Sequence, residues 1–213
     1  MKITLFGAAG KMGRRITAEA VNRGHTITAV VRECNGVVEP DNLVRVVRGD
    51  ATSLEDVARY SADADVVIAA TKPPAGSEAK LLESTAALLN ALANTSTRLI
   101  VSGGAASLRV PDKTNCLLLH DSRYMSESAM AIGKACLEQF ELCRASENVN
   151  WTYLSPPALL VPGVRTGEYR LGRDELIVDA GGRSTISMED LAAALLDEVE
   201  QENYVKRRFT AGY

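Results

Sequence analysis

The sequence predicts an α/β fold: a doubly wound parallel sheet with a small C-terminal extension on the substrate side. Three observations carry this. Short apolar segments alternate with amphipathic, helix-like segments along the 213 residues. KITLF, TITAVV, DVVIAA and RLIVS lack the regular polar alternation of a half-solvated strand, so both sheet faces are covered. The first of them runs directly into GAAGKMG, a glycine-rich turn that opens a helix. One domain spanning 1–213 is expected, with 156–185 as a substrate-side loop and hairpin region.

Residues 2–6 read as the first strand. Residues 11–23 read as a helix, with Met12, Ile16 and Ala20 on one face and Gly24 as its stop. Strands follow at 26–31 and 43–48. SLED at 53–56 is a capping box, in which Ser53 and Asp56 satisfy each other's backbone donors, and it opens a helix to about residue 60. Then come strand 65–70, a long helix at 77–94 and strand 98–102. An irregular stretch leads to a helix at about 123–146 and strand 151–154. Segments 167–171 and 175–178 look like a hairpin. SMED at 187–190 is a second capping box before a helix to about 200, and a last strand lies around 206–210.

The formal net charge of −3 argues against a nucleic-acid partner, which calls for a basic surface. Apolar runs are too short to span a membrane. MKITLFG enters a strand pattern at once, unlike a signal peptide, so a cytoplasmic location is expected. Cys34, Cys116, Cys136 and Cys143 form no Cys-x-x-Cys pair, and His25 and His120 are the two histidines, so no metal site is expected. The cysteines read as small buried apolar residues, with Cys136 and Cys143 on one helix face.

Ligands of doubly wound sheets bind at the carboxyl ends of the strands. In GAAGKMG, Gly7 allows a tight turn, Gly10 lets the backbone (with Ala9, Lys11 and Met12) approach a pyrophosphate at the helix N-terminus, and Gly13 lets the helix lie close on the sheet. The second strand ends at Arg32, whose planar guanidinium suits a 2′-phosphate, so NADP(H) is favoured over NAD(H). The competing reading has Glu33 on the ribose and Arg32 solvated. Lys11 and Arg14 either add phosphate-binding charge or are solvated. Asp50 either accepts from an adenine amino group, with Ala51 packing on the ring, or only shapes its loop. Ala69 and Ala70 let a dinucleotide pass close, and Thr71 bonds ribose or phosphate. Ser102 and Gly103 continue that edge; Ser102 is either a catalytic group or simply a small strand-end residue.

GAAGKMG, VVR, GDAT, VSGGAASL, WTYLSPPALLVPG, RTGEYRLG, STISMEDLAAALLDE and RRFTAGY resemble the atypical short-chain dehydrogenase/reductases of the NmrA-like, NAD(P)-binding group, those labelled NADH-flavin reductases. The resemblance runs from residue 1 to 213 and implies a Rossmann fold holding NADP(H) in these loops. The chain is more distantly similar to biliverdin-IX-beta/flavin reductase, with Ala105 and Ala158 in place of the Ser and His that sit near the flavin there.

A usual short-chain reductase carries Tyr-x-x-x-Lys, in which the tyrosine protonates a carbonyl and the lysine lowers its pKa and holds the ribose. Here Ser128 stands four residues after Tyr124. Lys134, on one continuous helix, would lie roughly 15 Å along the axis. Tyr124 is therefore expected to be a packing or substrate-wall residue. A flavin or quinone accepts hydride without strong acid catalysis, so a flat acceptor of that kind is expected. Ser155, Pro156 and Pro157 would wall the nicotinamide with a rigid turn, and Leu159, Leu160 and Val161 would give an apolar lip on the substrate side; the alternative is a proline-rich crossover with core leucines. His120 with Asp121 either donates a proton or is solvated. Arg165, Arg170 and Arg173 are candidates for an anionic acceptor or plain surface charges. The rival to a reductase is a non-catalytic NADP(H)-binding module of NmrA type. A monomer or weak homodimer is expected.

Overall fold

The computed structural model describes residues 1–33 and 42–213; the reading of Cys34 falls outside them. The elements are β1 (Lys2–Phe6), α1 (Lys11–Asn22), β2 (Thr26–Val31), β3 (Val44–Arg48), α2 (Leu54–Ser61), β4 (Val66–Ala69), α3 (Ala79–Leu92) and β5 (Arg98–Ser102). The chain continues through α4 (Met130–Ala145), β6 (Asn150–Ser155), β7 (Leu159–Val161), β8 (Arg170–Gly172), β9 (Thr185–Ser187), α5 (Met188–Gln201) and β10 (Arg207–Gly212).

Among the described residues, eight strands form one sheet in the order β3-β2-β1-β4-β5-β6-β10-β8. All neighbours are parallel except β8, which runs antiparallel to β10. The strand order reverses between β1 and β4, which is where a doubly wound sheet opens a crevice. Helices cover both faces, as apolar strands require. On one, α1 and α5 bury Ile16, Ala20, Leu191 and Leu195 against Leu5, Ile68 and Phe209. On the other, Leu88, Leu92 and Phe140 pack on Val67, Leu99, Trp151 and Tyr153. A smaller cluster of Leu108, Val110, Leu118 and Leu176 supports the loops, with Ala105, Tyr124 and Ala158 packed against it.

Both capping boxes form in half. Ser53 Oγ accepts from the Asp56 backbone, but the Asp56 carboxylate turns to the Asp50 N–H. Ser187 Oγ likewise accepts from the Asp190 backbone at 2.9 Å, and the Asp190 carboxylate does something else. Fully buried, it accepts from the N–H groups of Thr166 and Gly167, the Thr166 hydroxyl and the Tyr213 hydroxyl. It thereby staples the segment after β7 onto α5.

Two predicted elements differ. The helix expected from 123 starts at Met130, after a short 3-10 turn at Glu127–Ala129. The cause is Asp121, whose carboxylate accepts from the Arg123 N–H while its carbonyl accepts from Tyr124 and Met125 N–H, closing a turn upstream. The Tyr124-to-Lys134 spacing along one helix therefore does not apply. The expected 167–171/175–178 hairpin does not form either. Residues 170–172 pair with β10, while Leu176 turns into the loop cluster and bonds Arg109 across a single bridge. In addition, β7 and β9 make a small parallel pair of their own.

Burial alone would raise the Asp190 carboxyl, but the bonds from Thr166, Tyr213 and Gly167 outweigh it and hold the group below its ordinary range. A lowered folded pKa gives stability that is complete above the unfolded value of about 4 and is lost as pH falls through the folded one. Asp190→Asn, which turns an amide donor toward these donors, is expected to cost about 2–3 kcal/mol in urea unfolding at neutral pH. The deficit should shrink on acidification well below about pH 4.

Candidate functional site

The β1–α1 turn is built on glycine because no methyl fits. Gly7 has φ of +88°, and a Cβ there would lie 2.4 Å from the Ala70 carbonyl oxygen. A Cβ on Gly13 would lie 2.1 Å from the Gly7 carbonyl oxygen. The helix therefore starts hard against the strand end. Gly10, exposed like Ala9, is the N-cap and offers no side chain to the first turn, which also carries no acidic residue. The N–H groups at Lys11, Met12 and Gly13 have no intrahelical acceptor. These donors are uncapped in a place the fold holds rigid. Lys11 is exposed beside it, while Arg14 bonds the Ala9 carbonyl and Arg15 pairs with Glu189.

At the ends of β2 and β3, Arg32 and Glu33 are exposed. Asp50 is half-buried, and one of its oxygens accepts from both the N–H and the hydroxyl of Thr52. The Thr52 backbone bond, then the Thr52 hydroxyl, then the positive charges of Arg32 and Lys80 keep its carboxyl below the ordinary range despite partial burial. Asp50 thus shapes its loop through one carboxylate oxygen. Ala51 is buried in the core beneath.

At β4, Ala69 packs inward, Ala70 and Thr71 are half-exposed, and Lys72 is exposed. Ser102 and Gly103 are half-exposed at the end of β5. Gly103 is obligatory, since a Cβ would lie 2.0 Å from the Tyr153 ring. The Tyr153 hydroxyl accepts from Gly104 N–H and lies 3.1 Å from both the Cys136 carbonyl and Gln139 Oε1. Ser155, Pro156 and Pro157 are buried at the end of β6, with Ser155 Oγ lacking a hydrogen-bond partner among the described residues; Leu159 beyond them is 56% exposed.

Tyr124 donates its hydroxyl to the Gly182 carbonyl at 2.8 Å, with the Arg123 guanidinium over its ring. Ala105, Ala158 and Tyr124 each pack against the small loop cluster. His120 is exposed, and Asp121 turns away to Arg123 and Lys113, whose bonds hold its carboxyl far below the ordinary range. Burial pushes the Cys136 thiol up to about 11 and Cys143 up to about 12, which leaves both unreactive at neutral pH. Arg165 pairs with Glu19, Arg170 bonds the Val178 and Tyr213 carbonyls, and Arg173 lines an open cleft beside β8, remote from the glycine turn. Among the described residues no group of three or more His, Cys, Asp or Glu could hold a metal, and no helix is long and apolar enough to cross a membrane. Lys72 and Lys80 are edge cations that motif spacing does not single out; their adjacency to the strand ends is the signal.

A parallel sheet in this order, with a glycine turn and an uncapped helix at the reversal point, defines a dinucleotide-binding domain. The chain belongs to the NAD(P)H-binding family, which it matches over residues 7–202. It is 37% identical over 214 residues to the uncharacterized protein YwnB of Bacillus subtilis, covering 99% of this chain and 97% of that one. The crystal structure of a provisionally assigned epimerase from Bacteroides thetaiotaomicron has a TM-score of 0.91 at 35% identity, covering 100% of this chain and 96% of that one. That of a provisionally assigned NADH-flavin reductase from Streptococcus pneumoniae has a TM-score of 0.87 at 30% identity, covering 100% and 99%.

Gly13→Ala forces a methyl into the Gly7 carbonyl. The expected result is a loss of about 1–3 kcal/mol or more in thermal or urea unfolding. The surviving folded fraction should show weakened NADPH binding by calorimetry.

Proposed function

We propose that the protein is a cytoplasmic, NADPH-dependent reductase that passes hydride to a flat acceptor of the flavin or quinone type without a Tyr–Lys pair. It acts as a monomer or weak homodimer. The supporting observation is one of charge. Lys11, Arg32, Lys72 and Lys80 surround the strand-end edge with no acidic group at ion-pair distance among the described residues, in a chain whose net charge is −3. An elongated polyanion fits this edge.

In this reading the α1 N-terminus and the Gly10 backbone hold the pyrophosphate. Arg32 takes the 2′-phosphate, and Asp50 presents its second oxygen to the adenine amino group. Ala70, Thr71, Ser102 and Gly103 leave room along the strand ends for the nicotinamide half. The cofactor supplies the hydride, and the protein's work is orientation and exclusion of water. Leu159 gives a flat ring an apolar ledge, and Tyr124 closes the far wall with its hydroxyl already engaged by Gly182. No side chain has to supply a proton, because the reduced ring takes it from solvent. The reductase name of the pneumococcal relative agrees with this; the epimerase name of the Bacteroides relative does not transfer, since that chemistry calls for the missing Tyr–Lys pair.

The engaged Tyr124 also favours a second reading, a non-catalytic NADP(H)-binding sensor. Stopped-flow oxidation of NADPH against a panel of flavins and quinones separates the two. Turnover with at least one acceptor is expected; tight NADPH binding with no turnover in any would leave the sensor. Arg32→Ala should erase a preference for NADPH over NADH in calorimetric titration, and equal binding of both by the parent chain would instead place the ribose on Glu33. Tyr124→Phe should leave the rate within about threefold, whereas loss of a general acid costs about 10²-fold or more.

A further inference from the structure

We propose that Lys72 is a cofactor-binding residue whose ammonium holds the nicotinamide-side ribose phosphate of the dinucleotide. The assignment rests on the proposed dinucleotide binding and adds to it the half of the cofactor that Arg32 does not reach.

Lys72 comes directly after Thr71 at the end of β4 and precedes Pro73 and Pro74. A residue before proline is confined to extended backbone, and the two pyrrolidine rings lock the next two φ angles, so the lysine leaves the strand end in a set direction. On one side of it lies the phosphate turn. A Cβ on Gly7 would meet the Ala70 carbonyl at 2.4 Å and the Thr71 nitrogen at 3.1 Å, so the chain leading to Lys72 rests against that turn. On the other side lies α4. The Cys136 sulfur stands 2.6 Å from where a Gly104 Cβ would be, and Lys72's charge acts on that same thiol, partly offsetting the rise that burial causes. Lys72 therefore leaves the chain between the Gly7 turn on one side and α4, which packs against Gly104, on the other.

The edge between the Gly7 turn and α4 is where the second half of a dinucleotide must run. With the 2′-phosphate at Arg32 and the pyrophosphate on α1, the nicotinamide ribose falls over β4 and β5. Lys72 is exposed there, and among the described residues it has neither an acidic partner at ion-pair distance nor a hydrogen bond. Lys80 differs, because its charge, like that of Arg32, acts on Asp50 at the adenosine end. The lysine of Tyr-x-x-x-Lys would have held the ribose from α4. Here Ser128 lies upstream of α4 and Lys134 is a solvent-exposed residue of the helix. A lysine from the end of β4 anchors the same half of the cofactor from the other side, by its phosphate in place of its ribose.

The test is calorimetric titration with intact NADPH and with adenosine 2′,5′-bisphosphate, which lacks the nicotinamide half. Lys72→Gln should raise the dissociation constant for NADPH about tenfold and leave that for the bisphosphate unchanged, with Lys72→Arg restoring NADPH binding. Arg32→Ala should weaken both ligands. Because Lys72 is exposed, an unchanged melting temperature confirms that folding is intact. NADPH binding that Lys72→Gln leaves untouched, or an equal loss for both ligands, overturns the Lys72 assignment alone. Failure of the parent chain to bind either ligand overturns the dinucleotide reading and this assignment with it.

Discussion

The structure depends on one steric fact: three backbone segments meet at the end of β1 with no room for a single extra carbon. The Ala70 carbonyl lies under Gly7, and the Gly7 carbonyl lies under Gly13. This contact locks the β1–α1 turn to the end of β4 and sets the line on which α1 leaves the sheet. From that line follow the burial of Ile16 and Ala20 against the strands and the packing of α1 beside α5. It also points an uncapped helix end at the place where the strand order reverses. The same short turn thus combines a steric lock at Gly7 and Gly13 with first-turn N–H donors that the N-cap Gly10 leaves uncapped.

A second layer of control comes from carboxylates on the opposite side of the edge. Glu19 on α1 and Glu189 and Asp190 on α5 each reach the segment after β7: Glu19 takes Arg165, Glu189 takes the Gly163 N–H, and Asp190 takes Thr166 and Gly167. The segment has little secondary structure of its own, and these bonds give it a fixed course. The buried Arg98–Glu198 pair, in contrast, works at the other end of the strands, where Glu198 also accepts from Asn203 and Tyr204 N–H and guides the chain toward β10. These scaffold carboxylates are thus fully engaged in holding the chain's course.

The sheet, its helices and the glycine turn were legible because each obeys a local rule. Apolar strands, periodic helices and a Gly-rich βα turn announce themselves within a dozen residues. The failures lie where a distant partner decides. Nothing near Tyr124 in sequence shows that Asp121 closes a turn there and delays α4 to Met130. Nothing in 175–178 shows that Leu176 would exchange strand pairing for burial beside Leu108. The three-residue β7 and β9 exist only through each other. At the edge, Arg32 stands out by position at a strand end, whereas Lys72 is one lysine among several until the fold brings the end of β4 against Gly7.

β10 lies between β6 and β8, although it comes after both in the chain. During synthesis, therefore, β6 and β8 are made first and neither has its neighbour. Two strand edges with unpaired N–H and C=O groups stay open until residues 207–212 arrive to fill the gap. The half of the sheet from β3 to β6 can assemble as the chain emerges, but completion is a late, long-range event. A nascent chain stalled in that interval carries an exposed template for pairing with its neighbours, so the last strand guards against aggregation as well as completing the sheet.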